Sequence, residues 1–321
     1  MILLQKDRKS GKLKKTLAIR RVRRSLIMEE TIMKMRQEWG KGDEKRDAGL
    51  EIPEGLDRYL NIPYGPLPEN LLDVYCPAGT AEKRPTIVSI HGGGWFYGSK
   101  DLYSNYCMRL ALRGFTVVNF DYRLAPEAKY PAPLEDACQV LRWMQENAEQ
   151  YFIDLNNVFL VGDSAGGQLA FQLLALMGSP TYQKFFDFAP PEGFRFNACG
   201  LNCGCYFMPI SRLVPPKKAG PIFVAYFPED FLPCVPSLQA QKYITKDFPP
   251  AFVMTSRNDY LRFMAPPLHW KLRFKGVESV LKIYGKKQQK EIGHCFHLNC
   301  RSALADKCND EQCDFFRKHI H

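Results

Sequence analysis

Five residues, Gly162-Asp163-Ser164-Ala165-Gly166, place a serine between two glycines, each two positions away. A serine hydroxyl is a weak nucleophile until a neighbouring base takes its proton. The setting makes the pattern informative: the apolar run NVFLV precedes it and the apolar stretch QLAFQLLALM follows. Ser164 therefore belongs on a strand-to-helix turn. Such a turn is strained, and small flanking residues let it pass close to its neighbours. A helix starting behind the serine also aims backbone N–H groups at any negative charge that develops there.

Upstream, His91-Gly92-Gly93-Gly94-Trp95 follows the short run TIVSI. Three consecutive glycines free the backbone to turn its N–H groups into a cavity, as stabilisation of an oxyanion requires. Alone, the segment reads equally as a flexible turn; beside a nucleophile turn, the oxyanion reading is favoured. The expected donors are the amides of Gly93, Gly94 and Ala165, with Gly92 a substitute for either glycine. His91 precedes the serine and reads as a loop anchor rather than a base.

A base and an orienting carboxylate must complete the set. In hydrolases with such a turn, the acid and then the histidine follow the serine in the chain. Asp259 lies in the turn RNDYL, just past the strand-like PPAFVMTS, whereas Asp247 lies before that strand, at its wrong end. Five histidines follow Asp259. His294 is favoured because it occupies the loop after the strand-like ESVLKIYG. His297, three residues on, is its rival; His269 falls in a helical stretch, and His319 and His321 in the tail.

The elements that must position these residues alternate strand with helix from Thr86 onward. Short apolar runs separated by helical segments indicate a mostly parallel sheet covered on both faces, an α/β architecture. A Pro- and aromatic-rich segment from Pro209 to Ile244 breaks the alternation and reads as an insertion over the sheet's C-terminal edge, where such sheets bind ligands. Leu17 to Trp39 has loosely helical spacing. The expected organisation is a basic arm over residues 1–27, a helical segment over 28–50, and one domain over 51–321 with the insertion at about 209–245.

Of the 321 residues, 45% are hydrophobic and 24% charged, which excludes collagenous, coiled-coil and wholly disordered chains. No run approaches the roughly 18–20 apolar residues of a membrane-spanning helix. Net charge is +10, and residues 1–24 alone carry ten basic groups against one acid, so the remainder is nearly neutral. The arm lacks the interleaved aromatics that stack on bases, and no nucleic-acid partner is expected. An odd count of eleven cysteines and an opening segment that turns charged after Leu4 read as a reducing, cytoplasmic location. Cys199, Cys203 and Cys205 form one grouping, and His294, Cys295, His297, Cys300, Cys308 and Cys313 another. Neither has the paired spacing of a zinc module, and no metal or cofactor is expected.

Taken together, HGGGW, DYRLAPEAKYPAPLED from Asp121 to Asp136, GDSAGG, the NDYL aspartate and the HCF histidine resemble the hormone-sensitive-lipase-like esterases of the α/β-hydrolase superfamily, from about Leu71 to the C-terminus. The resemblance implies an α/β-hydrolase fold, a Ser164–Asp259–His294 triad, an oxyanion hole from the HGGG glycines and Ala165, and a small cap made by N-terminal helices and the Pro209–Ile244 insertion. It makes Tyr122 and Arg123 structural or site-shaping. The chain departs from the pattern at Cys295, where glycine commonly follows the histidine. The implied activity is hydrolysis of small acyl esters, with cap residues Phe223, Tyr226, Phe227, Phe231 and Leu232 either enclosing the acyl group or forming the cap's own core. HGGGW and NIPYGPLPENLLDVY also resemble members that deacetylate carbohydrates or cleave aryl formamides. A non-catalytic ligand-binding protein on this fold would be expected to lose part of the triad. The partner expected is a small-molecule ester, and the sequence leaves a homodimer open.

A start at Met28 would yield a nearly neutral protein, so the arm reads as an extension or tail, with a tether to an anionic surface as its functional alternative. Deleting residues 1–27 is expected to leave turnover on soluble esters within about threefold, roughly 0.65 kcal/mol of barrier. A collapse of activity in a folded truncated protein would make the arm part of the substrate pocket.

Overall fold

The apolar runs of the sequence assemble into a single sheet in the computed structural model, which describes residues 26–79 and 81–321. The basic arm expected over residues 1–27 lies outside the described residues apart from Leu26 and Ile27. The strands are β1 (Leu56–Pro63), β2 (Leu71–Pro77), β3 (Arg84–Ile90), β4 (Thr116–Phe120), β5 (Ile153–Asp163), β6 (Ala198–Asn202), β7 (Ala251–Ser256) and β8 (Ser279–Tyr284). They lie in the order β1-β2-β4-β3-β5-β6-β7-β8. β2 pairs antiparallel with β1 and with β4; every other pairing is parallel.

Every residue of β4, β6 and β7 is buried, as continuous apolar runs in the middle of a parallel sheet require. Neighbouring residues feed opposite faces: Ile87, Val117 and Phe159 join one apolar cluster, and Val88, Val118 and Leu160 the other. Helices α2 (Lys100–Ala111) and α9 (Ala303–Arg317) cover the first face. The second is covered by α3 (Ala132–Asn147), α4 (Ala165–Gly178) and α8 (Ala265–Phe274). Their starts are written locally: Ser99 and Ser302 accept the N–H groups of Leu102 and Ala305, each at 3.3 Å, and prolines occupy the first turns of α3 and α8. The mostly parallel α/β sheet expected from the sequence is thus observed. Among the described residues, no helix is long and apolar enough to cross a membrane.

Two further pieces stand over the sheet's C-terminal edge. Helix α1 (26–47) is clamped to the segment after β3. The Arg36 guanidinium donates to the carbonyls of Phe96 (2.7 Å) and Ala125 (2.8 Å) and pairs with Glu127 at 2.7 Å, while the Trp39 ring packs on Phe96 with centroids 4.8 Å apart. Between β6 and β7 the chain forms only short helical turns, including α6 (Pro216–Ala219) and α7 (Pro221–Tyr226). Tyr226 of α7 is fully buried and stacks on Trp95 at 4.9 Å.

The strand order places the chemistry. Because β4 and β5 flank β3 on opposite sides, the order reverses at β3, and the loops after β3 and β5 leave the same edge side by side. Ile90, the last residue of β3, pairs with Gly162. The backbones then approach so closely that a Cβ on Gly166 would lie 2.1 Å from the Ile90 carbonyl oxygen and 2.5 Å from that of His91. Gly166→Ala is therefore expected to destabilise the fold by about 1–3 kcal/mol or more. Gly178→Ala, whose added Cβ would meet nothing nearer than Thr245 Oγ1 at 3.7 Å, is expected to be neutral or to stabilise by up to about 1 kcal/mol. Urea denaturation midpoints of the two variants, compared at equal slope, check the difference.

Candidate active site

At the end of β5 the backbone of Ser164 is forced out of the ordinary regions, with φ 54° and ψ −114°. A non-glycine residue so placed costs of order 1–3 kcal/mol, which the surroundings must over-determine. They do so with three main-chain bonds: the Ser164 N–H donates to the Asn202 carbonyl (3.0 Å), and its own carbonyl accepts the N–H groups of Gln168 (3.1 Å) and Cys205 (3.2 Å). The side chain is thereby presented at the mouth of α4, in the wall of a cavity of about 410 Å³.

Across that cavity stands His294. Its Nδ1 lies 2.7 Å from Asp259 Oδ1. An ionised carboxylate can only accept, so the proton of the neutral ring sits on Nδ1, and Nε2 keeps a free lone pair. Nε2 is buried and has no partner among the described residues. Burial pushes the Asp259 carboxyl up, but the His294 bond and charge, the Leu261 N–H (2.8 Å) and the Thr255 hydroxyl (2.8 Å) outweigh it and hold the group below its ordinary value. Asp259 is therefore a fixed negative charge, suited to orienting and stabilising an imidazolium.

The rival histidine is placed differently. His297 is buried with its ring edge-on to Tyr106 at 5.3 Å, and neither nitrogen has a partner among the described residues. Burial first, then the charges of His294 and Arg46, push it down to about 3, so it stays a neutral core residue. His269 bonds to Ser279, and His319 to the Phe315 carbonyl. His91 is buried and pushed down to about 4 by that burial; its Nδ1 meets the Gly92 carbonyl at 2.7 Å and its ring stacks on Tyr122 at 4.1 Å.

The glycine loop divides its amides between two tasks. The N–H of Gly92 donates to the Tyr103 hydroxyl at 2.8 Å, which corrects the expectation that Gly92 could substitute as an oxyanion donor. Among the described residues, the N–H groups of Gly93, Gly94 and Ala165 donate to no protein acceptor. Gly93, at φ 112°, cannot be replaced, since a Cβ there would lie 1.9 Å from the Tyr97 carbonyl oxygen.

The BD-FAE family model matches residues 72–202, which run from β2 through β6 and include the glycine loop and Ser164. A carboxylesterase of Mycobacterium tuberculosis, NlhH, is 35% identical over 138 residues, covering 38% of this chain and 43% of that protein. An acetyl esterase of Salmonella typhi is 34% identical over 131 residues, 40% of this chain and 39% of the relative. The chain thus spans less than half the length of these curated relatives. In three dimensions the likeness is wider: esterase B of Lactobacillus rhamnosis, solved with a C4-C4 SN3 tributyrin phosphonate inhibitor, is 26% identical with a TM-score of 0.82, covering 91% of this chain and 95% of that one. Residues 72–202 are thus similar to the BD-FAE family, and the chain has the α/β-hydrolase fold.

Several residues reach the site that no spacing announces. Asp163 accepts the Tyr103 hydroxyl at 2.7 Å, so the serine's own neighbour holds the group that pins Gly92. Burial pushes the Asp163 carboxyl up to about 6, against the pull of Tyr103 and the Cys295 thiol. Tyr260 stacks beside His294 at 4.3 Å, and its phenol lies next to Ser164. The only hint of it was the position after Asp259. Trp39, Asp43 and Arg46 of α1 also line the cavity, with Tyr97 and Glu291. Tyr226 and Phe227 do not line it. They are fully or almost fully buried and pack with Tyr130 and Trp95, which makes them the cap's core.

A fluorophosphonate, which transfers its phosphonyl group to an activated serine with loss of fluoride, checks this geometry. Labelling of Ser164 is expected to fall by on the order of 10⁴ in His294→Ala and to vanish in Ser164→Ala. His297→Ala is expected to label within a few fold of the parent. Normal labelling of His294→Ala with loss in His297→Ala would reverse the assignment.

Proposed function

We propose that the protein is a serine esterase that hydrolyses carboxylic esters of small acyl groups. The observation that carries the reading is the meeting, around one cavity, of Ser164 on its strained turn, Gly93 and His294, with Asp259 bonded to His294 and the uncommitted N–H groups of Gly94 and Ala165 next along the chain from Gly93 and Ser164. In the reaction, His294 Nε2 takes the Ser164 proton as Oγ attacks the ester carbonyl. The oxyanion that forms is held by the three amides, which need no reorientation because the glycine loop and the start of α4 already fix them. The imidazolium returns the proton to the leaving alcohol. Water then enters by the same route and releases the acid from the acyl-serine. Asp259 stays ionised throughout and holds the imidazole in the useful tautomer. This chemistry calls for no metal or organic cofactor.

The cavity wall supports a small, partly polar substrate. Asp43, Arg46 and Glu291 face the same space as the aromatic surfaces of Trp39 and Tyr260, so a long alkyl chain filling it would desolvate charged groups as well as meet apolar ones. The relatives point the same way: one is named an acetyl esterase and another structure carries a tributyrin phosphonate. All eleven cysteines are free thiols, in keeping with the cytoplasmic location we infer.

A series of esters of one chromogenic alcohol tests the reading. Turnover efficiency is expected to peak at acyl chains of about two to four carbons, each methylene gaining at most about 0.8 kcal/mol until the pocket is full. Highest activity at ten or more carbons would overturn the small-acyl reading, and hydrolysis of none of the series would overturn the esterase reading itself.

A further inference from the structure

Neither cysteine grouping of the sequence spells a metal motif, but the fold draws one residue from the first grouping and two from the second. Cys203 is the first residue after β6, and Cys295 directly follows His294. Both hold left-handed backbone, at φ 48° and 53°. The two Sγ atoms and one imidazole nitrogen of His294 lie within 4.8 Å of one another. Carboxylates close the cluster on two sides, Asp259 against the Cys203 thiol and Asp163 against the Cys295 thiol. Cys203 is buried, whereas Cys295 lines the cavity that holds Ser164, which gives a small ion a way in.

We propose that Cys203, Cys295 and His294 form a binding site for a thiophilic divalent cation of the Zn²⁺ or Cd²⁺ class, and that its occupation silences Ser164. Two thiolates and an imidazole are the ligand set such ions select, with metal–sulfur and metal–nitrogen distances of about 2.3 and 2.0 Å. Ligand atoms so held stand about 3.5–4 Å apart, so the present cluster needs only side-chain rotation to close on an ion. Each binding event releases two thiol protons to solvent, and the two thiolates then balance the cation's charge. The adjacent carboxylates add attraction for a cation and none for an anion. Hard ions such as Mg²⁺ and Ca²⁺, which take oxygen ligands, find no such set here. Either nitrogen of His294 gives the same consequence. Coordination through Nε2 occupies the lone pair that would accept the serine proton, and coordination through Nδ1 breaks the bond to Asp259. The silencing rests on the esterase reading; the binding does not.

Cobalt(II) serves as the spectroscopic probe and Zn²⁺ as the inhibitor, both with the full chain. Co²⁺ is expected to give thiolate-to-metal charge-transfer absorption that Zn²⁺ bleaches, and Zn²⁺ near one equivalent is expected to lower ester hydrolysis at least tenfold while Mg²⁺ has no effect. Cys295→Gly, a residue suited to that backbone, and Cys203→Ser should each lose the band and need at least tenfold more Zn²⁺ for half inhibition. Ser164→Ala should keep the band, which separates binding from hydrolysis. Absence of the band in the parent protein, or equal Zn²⁺ sensitivity in both cysteine variants, overturns the proposal. A band in a parent that hydrolyses no ester would leave the metal site standing and remove the esterase reading instead. If one cysteine variant fails to fold, the other and the Ser164→Ala spectrum still decide.

Discussion

The approach of the β5–α4 turn to the end of β3 is the constraint on which the site depends. The Gly166 backbone sits so near the carbonyls of Ile90 and His91 that no side chain fits between them, and the Ile90–Gly162 register fixes where along the edge this happens. Two consequences follow from the one contact. Ser164 is held in a backbone conformation that only over-determined surroundings maintain, and the glycine loop emerges directly beside it. The proposed nucleophile and oxyanion donors are thus set by sheet register, the most rigid feature available, rather than by the rotamers of long side chains.

Around that contact the molecule commits its polar groups selectively. Tyr103 takes the Gly92 amide and gives its proton to Asp163, tying α2, the glycine loop and the serine turn into one buried chain. Trp95 donates to Gln168, and Gln168 to Gln172, doing the same between the loop and α4. Among the groups next to Ser164, the amides of Gly93, Gly94 and Ala165 and the Nε2 of His294 have no partner among the described residues. A buried polar atom left without a partner costs about 1–3 kcal/mol, and His294, which lines the cavity, can regain a partner for its Nε2 from a ligand there.

How far the sequence could foresee this follows from the range of each interaction. The strands, the sheet's class and the glycine-flanked serine are local signals, and the chain order of Asp259 and His294 narrows the remaining partners. The discrimination between His294 and His297, three residues apart, rested on loop position alone; in the structure it rests on a 2.7 Å bond to Asp259 that one ring makes and on a buried, unpartnered position for the other. Non-local contacts were out of reach. Gly92 looked interchangeable with its neighbours because nothing in HGGGW announces Tyr103, eleven residues away. The cap aromatics read equally well as pocket or core, and for Tyr226 stacking on Trp95 decides for core.

Helix α1 carries the most function that was illegible in one dimension. Its spacing gave a helix and the resemblance a place in the cap, but neither placed a residue of it at the site; it brings Trp39, Asp43 and Arg46 into the cavity wall. Arg46 is spoken for by Asp43 and Asp47, at 2.6 and 2.5 Å, and Asp43 in turn accepts the Tyr97 hydroxyl. A guanidinium so neutralised offers a substrate little net positive charge, and it braces the helix against the loop that follows β3. Recognition at this wall therefore falls to shape and to hydrogen bonding at the rim, while the sheet edge beneath keeps the chemistry. The chain can then change what it accepts by altering α1 without disturbing the register that holds Ser164.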